Sequence, residues 1–151
     1  MLEYYLAIND SSIYNPFIIN QELVSIAEQY KNISNEHDKA FQLFEWFRKN
    51  IRYKDENFYK RSTEVLRKKH GVCAESAVLY ITMARCSGLV SSYVSVQNNE
   101  KGKKVHHACA GVKLNNWLLV DIAQETFNIK HKKYKILKDN EVITKFKAWN
   151  K

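Results

Sequence analysis

The sequence predicts an α+β domain, with helices in the first half of the chain and antiparallel strands in the second. Three observations predict it. Apolar residues recur at helical spacing up to about residue 87. Residues 73–87 are apolar around nearly the whole helical circumference. After Gly88 the pattern turns to β-rich alternation broken by short polar turns. At 151 residues the chain is one domain, long enough to bury roughly 70% of its unfolded surface without a metal or a disulfide. We expect a single unit over 1–151, with a core at about 36–125 and a basic C-terminal segment at 130–151.

The elements follow in order. Leu23, Ile26, Ala27, Tyr30 and Ile33 fall at i, i+3, i+4, i+7, so 20–32 reads as an amphipathic helix. Ala40, Leu43, Phe44, Phe47 and Ile51 repeat the pattern, with Ser34 or Asn35 as the cap. A short helix over Ser62–Lys69 would be ended by Gly71. Residues 73–87 carry Ala74, Ala77, Val78, Leu79, Ile81, Met83 and Ala84, and a helix apolar all round is a buried one. Gly88 ends it. SSYVSVQ reads as a strand, NNEKGKK as a turn, and VHHACAGVKL and WLLVDIA as a strand pair joined across Asn115–Asn116. Val142, Phe146 and Trp149 place a last helix at 139–150.

Composition removes several classes. No segment is long and apolar enough for a transmembrane helix. The first ten residues, MLEYYLAIND, carry Glu3 and no basic stretch, and do not read as a secretory leader. Three cysteines make no disulfide framework and point to a reducing, cytoplasmic setting. Without CxxC or HxxxH, no metal or cofactor is expected. The net charge of +8 is uneven: residues 60–70 hold five Lys/Arg against one Glu, and residues 130–151 eight Lys against two acids. Such patches suit an anionic partner, although a solvated Lys-rich face is the simpler account of them.

Cys73 opens the buried helix. First-turn N–H groups and the positive end of the helix dipole stabilise a thiolate there, and can draw a thiol from about 8.5 toward roughly 3.5–7.5. The same groups can hold an oxyanion. A thiolate nucleophile needs an imidazole and a third group to orient it. His106 and His107 lie in one downstream strand. Asp121 interrupts the apolar run Leu118–Ile122 of the next, where a carboxylate must be paired.

GVCAESAVLYITMARCSGLVSSYVSV resembles the cysteine segment of the transglutaminase-like superfamily, through Gly71, Cys73, Glu75, Ala77, Ala84, Arg85, Gly88 and Leu89. Upstream, Trp46, Ile51 and Tyr53 look like the family's preceding helix. Downstream, His107, Ala108, Trp117 and Asp121 are similar to its His-Ala-Trp and Trp-x-x-x-Asp motifs. The resemblance spans about 40–122. It implies a papain-like core, a Cys-bearing helix on an antiparallel sheet, with Cys73 as nucleophile, His107 as general base and acid, and Asp121 as the orienting carboxylate. It implies attack on a peptide or carboxamide carbonyl, with release of the acyl-enzyme by water (a cysteine peptidase or amidase) or by an amine (a transglutaminase). From another class, the same fold could serve as a basic binding module.

Two departures stand out. Cys109 replaces the aromatic of His-Ala-Trp, as a pocket-lining residue or a small buried hydrophobe, and Gly111 replaces a usual Glu. Register leaves the histidine open. A strict two-residue loop at Asn115–Asn116 puts Asp121 on the face of His106, while a three-residue loop or a bulge puts it on that of His107. The family pattern selects His107. Cys86 is expected in the core, and His37, His70 and His131 at the surface. Glu75 is given no catalytic role, only a place near the helix dipole or a pairing with Arg85 or a lysine.

Overall fold

A computed structural model describes residues 4–5, 13–56 and 59–150. The reading of the first ten residues as no leader falls outside these, apart from 4–5. In chain order the elements are β1 (Tyr4–Tyr5), β2 (Ile18–Ile19), α1 (Gln21–Glu28), α2 (Glu36–Asn50), β3 (Arg52–Tyr53), α3 (Ser62–Lys68) and β4 (His70–Gly71). They continue with α4 (Cys73–Cys86), β5 (Ser91–Asn98), β6 (Lys104–Lys113), β7 (Trp117–Asp121), β8 (Thr126–Phe127), β9 (Lys133–Ile136) and α5 (Asp139–Trp149). Among the described residues, four helices precede the main sheet and α5 follows it, in keeping with the α+β expectation. No helix among the described residues is long and apolar enough to cross a membrane.

Side-chain caps start the first two helices. Asn20 accepts from the Leu23 N–H at 2.9 Å and Asn35 from that of Asp38 at 2.9 Å. The first helix stops at Glu28, short of the expected 32, because the following N–H groups of Tyr30 and Lys31 bond three residues back to Ala27 and Glu28. α3 is ended by Lys69, at φ 61°, and not by Gly71. Gly71 instead lies in β4, where a Cβ would stand 3.0 Å from that of Glu75. Close approach, not helix termination, is what this glycine supplies.

The main sheet has the order β8-β7-β6-β5-β9, antiparallel throughout. One face, carrying Tyr93, Ala108, Ala110, Val112, Leu118 and Val120, packs into a core shared with the helices. α4 is central to that core: Val78, Leu79, Tyr80, Ile81 and Met83 are all fully buried. The opposite face has a smaller cluster of Val94, Val96, Cys109, Leu119 and Ile129. Cys109 is therefore a small buried hydrophobe.

The basic C-terminal segment is built into this fold. Its Lys133–Ile136 stretch forms an edge strand, an element the sequence pattern did not announce, with Lys133 and Lys135 exposed along it. Lysines on an edge discourage pairing with other chains. α5 buries Val142 and Phe146, and its Asp139 accepts from the two terminal guanidinium nitrogens of Arg85, each at 2.9 Å. Arg85 also donates to the Ser91 carbonyl at 3.0 Å, so one side chain ties the end of α4 to β5 and α5.

Candidate active site

Cys73 is the first residue of α4, with Val72 at the N-cap in extended backbone. Two features fix this entry. β3 pairs in parallel with β4, Arg52 opposite His70 and Tyr53 opposite Gly71, which clamps the approach to the exit of α2. Glu75, 1% exposed, accepts the Val72 N–H at 2.8 Å and the Lys60 N–H, and its carboxylate lies 3.2 Å from the Lys60 ammonium. Of the partners expected for Glu75, the lysine is the one found; Arg85 is engaged by Asp139.

His107 and Asp121 reach each other through the hairpin register. Lys113 pairs with Trp117, Val112 with Leu118 and Ala110 with Val120, so the loop is the three residues Leu114–Asn116. That count puts Asp121 on the face of Cys109 and His107, whereas a two-residue loop would have given it to His106. The His107 Nε2 lies 2.7 Å from the Asp121 Oδ2. Asp121 is completely buried, and its Oδ1 accepts the Gln124 N–H at 3.1 Å.

Cys73 is the second side chain that acts on the His107 ring, and both residues line the same cleft. With Nε2 committed to Asp121, Nδ1 is the nitrogen left for sulfur. Burial alone would lower the pKa of this imidazole. The hydrogen bond to Asp121 and the interaction with Cys73, together with their charges, outweigh it and raise the value from 6.5 to about 10. The other two cysteines differ. Burial, assisted by Glu28, pushes the Cys86 thiol up to about 11, and burial pushes that of Cys109 well above its ordinary value.

Cys73 and His107 open onto a cleft of about 450 Å³ lined by, among others, Tyr59, Tyr93, His106, Lys104, Lys145 and Trp149. Tyr59 and Trp149 stack with centroids 4.3 Å apart. His106 is exposed on the cleft wall and Cys109 does not line it.

The expected surface position of His131 is overturned: its side chain is completely buried, with Nε2 2.9 Å from the same Asp121 Oδ2 that meets His107. Its sequence setting, Lys130-His131-Lys132-Lys133, suggests solvent. The chain is turned inward because Ile129 fills the second core cluster and bonds back to the Leu119 carbonyl at 3.1 Å. His37 is exposed, and His70 is half-buried beside Glu56 at 3.3 Å. His107, Asp121 and His131 have metal-ligand chemistry and their ligand atoms lie within 4.8 Å of one another. The N···O separations of 2.7 and 2.9 Å are hydrogen-bond distances, however, shorter than the ~3.3 Å between ligands of a tetrahedral zinc.

A cysteine at the start of a buried helix, set against an antiparallel sheet that carries histidine and aspartate, defines the papain-like thiol-enzyme fold. The chain belongs to the transglutaminase-like superfamily, whose family model matches residues 24–122. Solved structures share the fold at low identity. A candidate cysteine protease from Cytophaga hutchinsonii is 18% identical with a TM-score of 0.64, over 84% of this chain and 43% of that one. A candidate protease from Parabacteroides distasonis is 16% identical with a TM-score of 0.55, over 66% of this chain and 23% of that one. LapG of Legionella pneumophila is 10% identical with a TM-score of 0.59, over 85% and 82%. This chain thus spans less than half the length of the first two. No curated protein matches it in sequence.

Proposed function

We propose that this chain is a thiol enzyme that hydrolyses a peptide or carboxamide bond through an acyl-enzyme. The observation that carries the reading is that one ring, His107, lies 2.7 Å from Asp121 and interacts with Cys73, beside which it lines the cleft. Cys73 sulfur attacks the carbonyl carbon after its proton passes to His107. The oxyanion is met by the N–H groups of the first turn of α4, which have no acceptor within the helix. The C–N bond breaks as His107 returns the proton to the leaving amine. Water then attacks the thioester, giving up a proton to His107, and the carboxylic acid leaves as Cys73 is regenerated. Asp121 holds the ring in the tautomer this requires.

The test has two stages. Iodoacetamide near neutral pH is expected to modify Cys73 well before Cys86 and Cys109, whose thiols burial disfavours as thiolates. A pool of peptide and carboxamide substrates is then incubated with the wild-type chain and with Cys73→Ala, with and without a primary amine. New carboxylates formed by the wild type alone support hydrolysis. Incorporation of the added amine in preference to water would assign acyl transfer instead. Slow, equal labelling of all three cysteines would sink the thiol-enzyme reading.

A further inference from the structure

We propose that His131 is a positioning residue for the Cys73–His107–Asp121 chain, acting by holding the Asp121 oxygen on which His107 rests. The proposal builds on the thiol chemistry above and assigns a fourth side chain to it.

A carboxylate oxygen offers two lone pairs, and on Asp121 Oδ2 both are used: His107 Nε2 at 2.7 Å and His131 Nε2 at 2.9 Å. Each contact needs a proton on Nε2, so the shared oxygen sets the tautomer of both rings. The rings meet edge to face, with centroids 5.8 Å apart. Asp121 has no exposed surface and cannot replace a lost donor with bulk water. Without His131, Oδ2 would retain His107 as its side-chain donor, and the Gln124 N–H on Oδ1 would be left to oppose rotation of the carboxylate.

His131 is itself held. Its segment is tied by the Ile129 N–H to Leu119 and by the Lys132 N–H to the carbonyls of Asn98 and Asn99, at 3.1–3.2 Å. These bonds bring it beside the β5–β6 turn, where Glu100 Oε2 lies 3.4 Å from His131 Nδ1. The pair is an ion-pair contact and not a hydrogen bond: neither of these two buried atoms has a hydrogen-bond partner. The hydrogen-bonded order is therefore His131–Asp121–His107, with Glu100 3.4 Å from its outer end and Cys73 beside its inner end. An imidazole with a carboxylate on each side supplies a directed donor that an apolar core residue would not.

The experiment compares His131→Phe, which keeps the ring volume and loses the donor, with His131→Gln, whose amide N–H can stand in for Nε2–H. At pH 7 the Phe variant is expected to react with iodoacetamide at Cys73 about tenfold more slowly than wild type, and the Gln variant within about threefold. A role limited to stability would shift both melting temperatures and leave the Cys73 rate alone. A folded Phe variant reacting at the wild-type rate overturns the proposal, as does a folded Gln variant as slow as Phe. If the Phe variant does not fold, ring 15N shifts of the wild-type chain decide. A protonated His131 Nε2 supports the assignment and a bare one overturns it. Wild-type Cys73 reacting no faster than Cys86 and Cys109 would instead count against the thiol-enzyme reading, and the NMR outcome would still stand on its own.

Discussion

Lys113 lies opposite Trp117, and this one pairing decides which histidine meets Asp121. It makes the hairpin loop three residues long and sends Asp121 to the face of His107. The two adjacent histidines should therefore separate cleanly. His107→Gln is expected to slow alkylation of Cys73 by at least an order of magnitude, whereas His106→Gln should leave it within about twofold, as His106 lies exposed on the cleft wall. Rates from intact-protein mass spectrometry give the answer, and comparable losses in both variants would remove the register argument.

The protonation of His107 should be visible in stability. Burial opposes its charge, but Asp121 and Cys73 prevail and its pKa rises from 6.5 to about 10. The folded chain thus binds this proton more tightly than the unfolded chain does. The resulting stability is fully present below about 6.5 and is lost as pH rises through about 10. Melting temperatures of wild type and His107→Gln, measured from pH 6 to pH 10, should differ most at the acid end and converge at the alkaline end. A gap that stays constant or widens with pH contradicts the assignment.

Lys60 and Glu75 form a buried pair at the first turn of α4, with ammonium and carboxylate 3.2 Å apart and almost no exposed surface. Breaking one side leaves a buried charge poorly matched. Glu75→Ala is expected to cost about 3–5 kcal/mol in urea unfolding. Removing both charges together, in Lys60→Met with Glu75→Leu, should cost less than the sum of the single changes, although the Val72 N–H loses its acceptor in either case. Additive losses would show that the two charges do not depend on each other.

The sequence disclosed most of what local physics controls. The periodic spacings found α1, α2 and α5, the apolar circumference found α4, and alternation found β5, β6 and β7. Cys73 and Asp121 stand out against their own neighbours, a thiol at a helix start and a carboxylate within a buried strand, whereas the choice of His107 over His106 rested on the family pattern and not on local physics. His131 was not legible, because the lysines around it mask a fate set by long-range contacts of Ile129 and Lys132. β9 was hidden for a similar reason, since an edge strand with outward lysines has no alternating apolar face of its own. Gly111 gains its explanation only in three dimensions: the Trp117 ring and Val94 lie 3.0 Å from where its Cβ would be, which leaves no room for the glutamate usual in the family.

The cleft should favour anionic reagents. Its Lys, Arg, Asp and Glu lining among the described residues consists of Lys104 and Lys145, with no carboxylate in the lining. Iodoacetate and iodoacetamide differ mainly in charge, so their rate ratio at Cys73 reads the local potential. An exposed cation contributes about 1 kcal/mol at contact distance and less beyond it, so replacing both lysines with glutamine should lower the iodoacetate-to-iodoacetamide ratio by about threefold. Raising the salt toward 1 M, where charges more than about 3 Å apart are screened, should lower the wild-type ratio and leave that of the double variant nearly flat. Iodoacetamide serves as the neutral reference, so that a change in the thiolate content of Cys73 divides out of the ratio. A ratio unchanged by the substitutions would assign these lysines to the solvated surface and remove charge as a selector of substrates here.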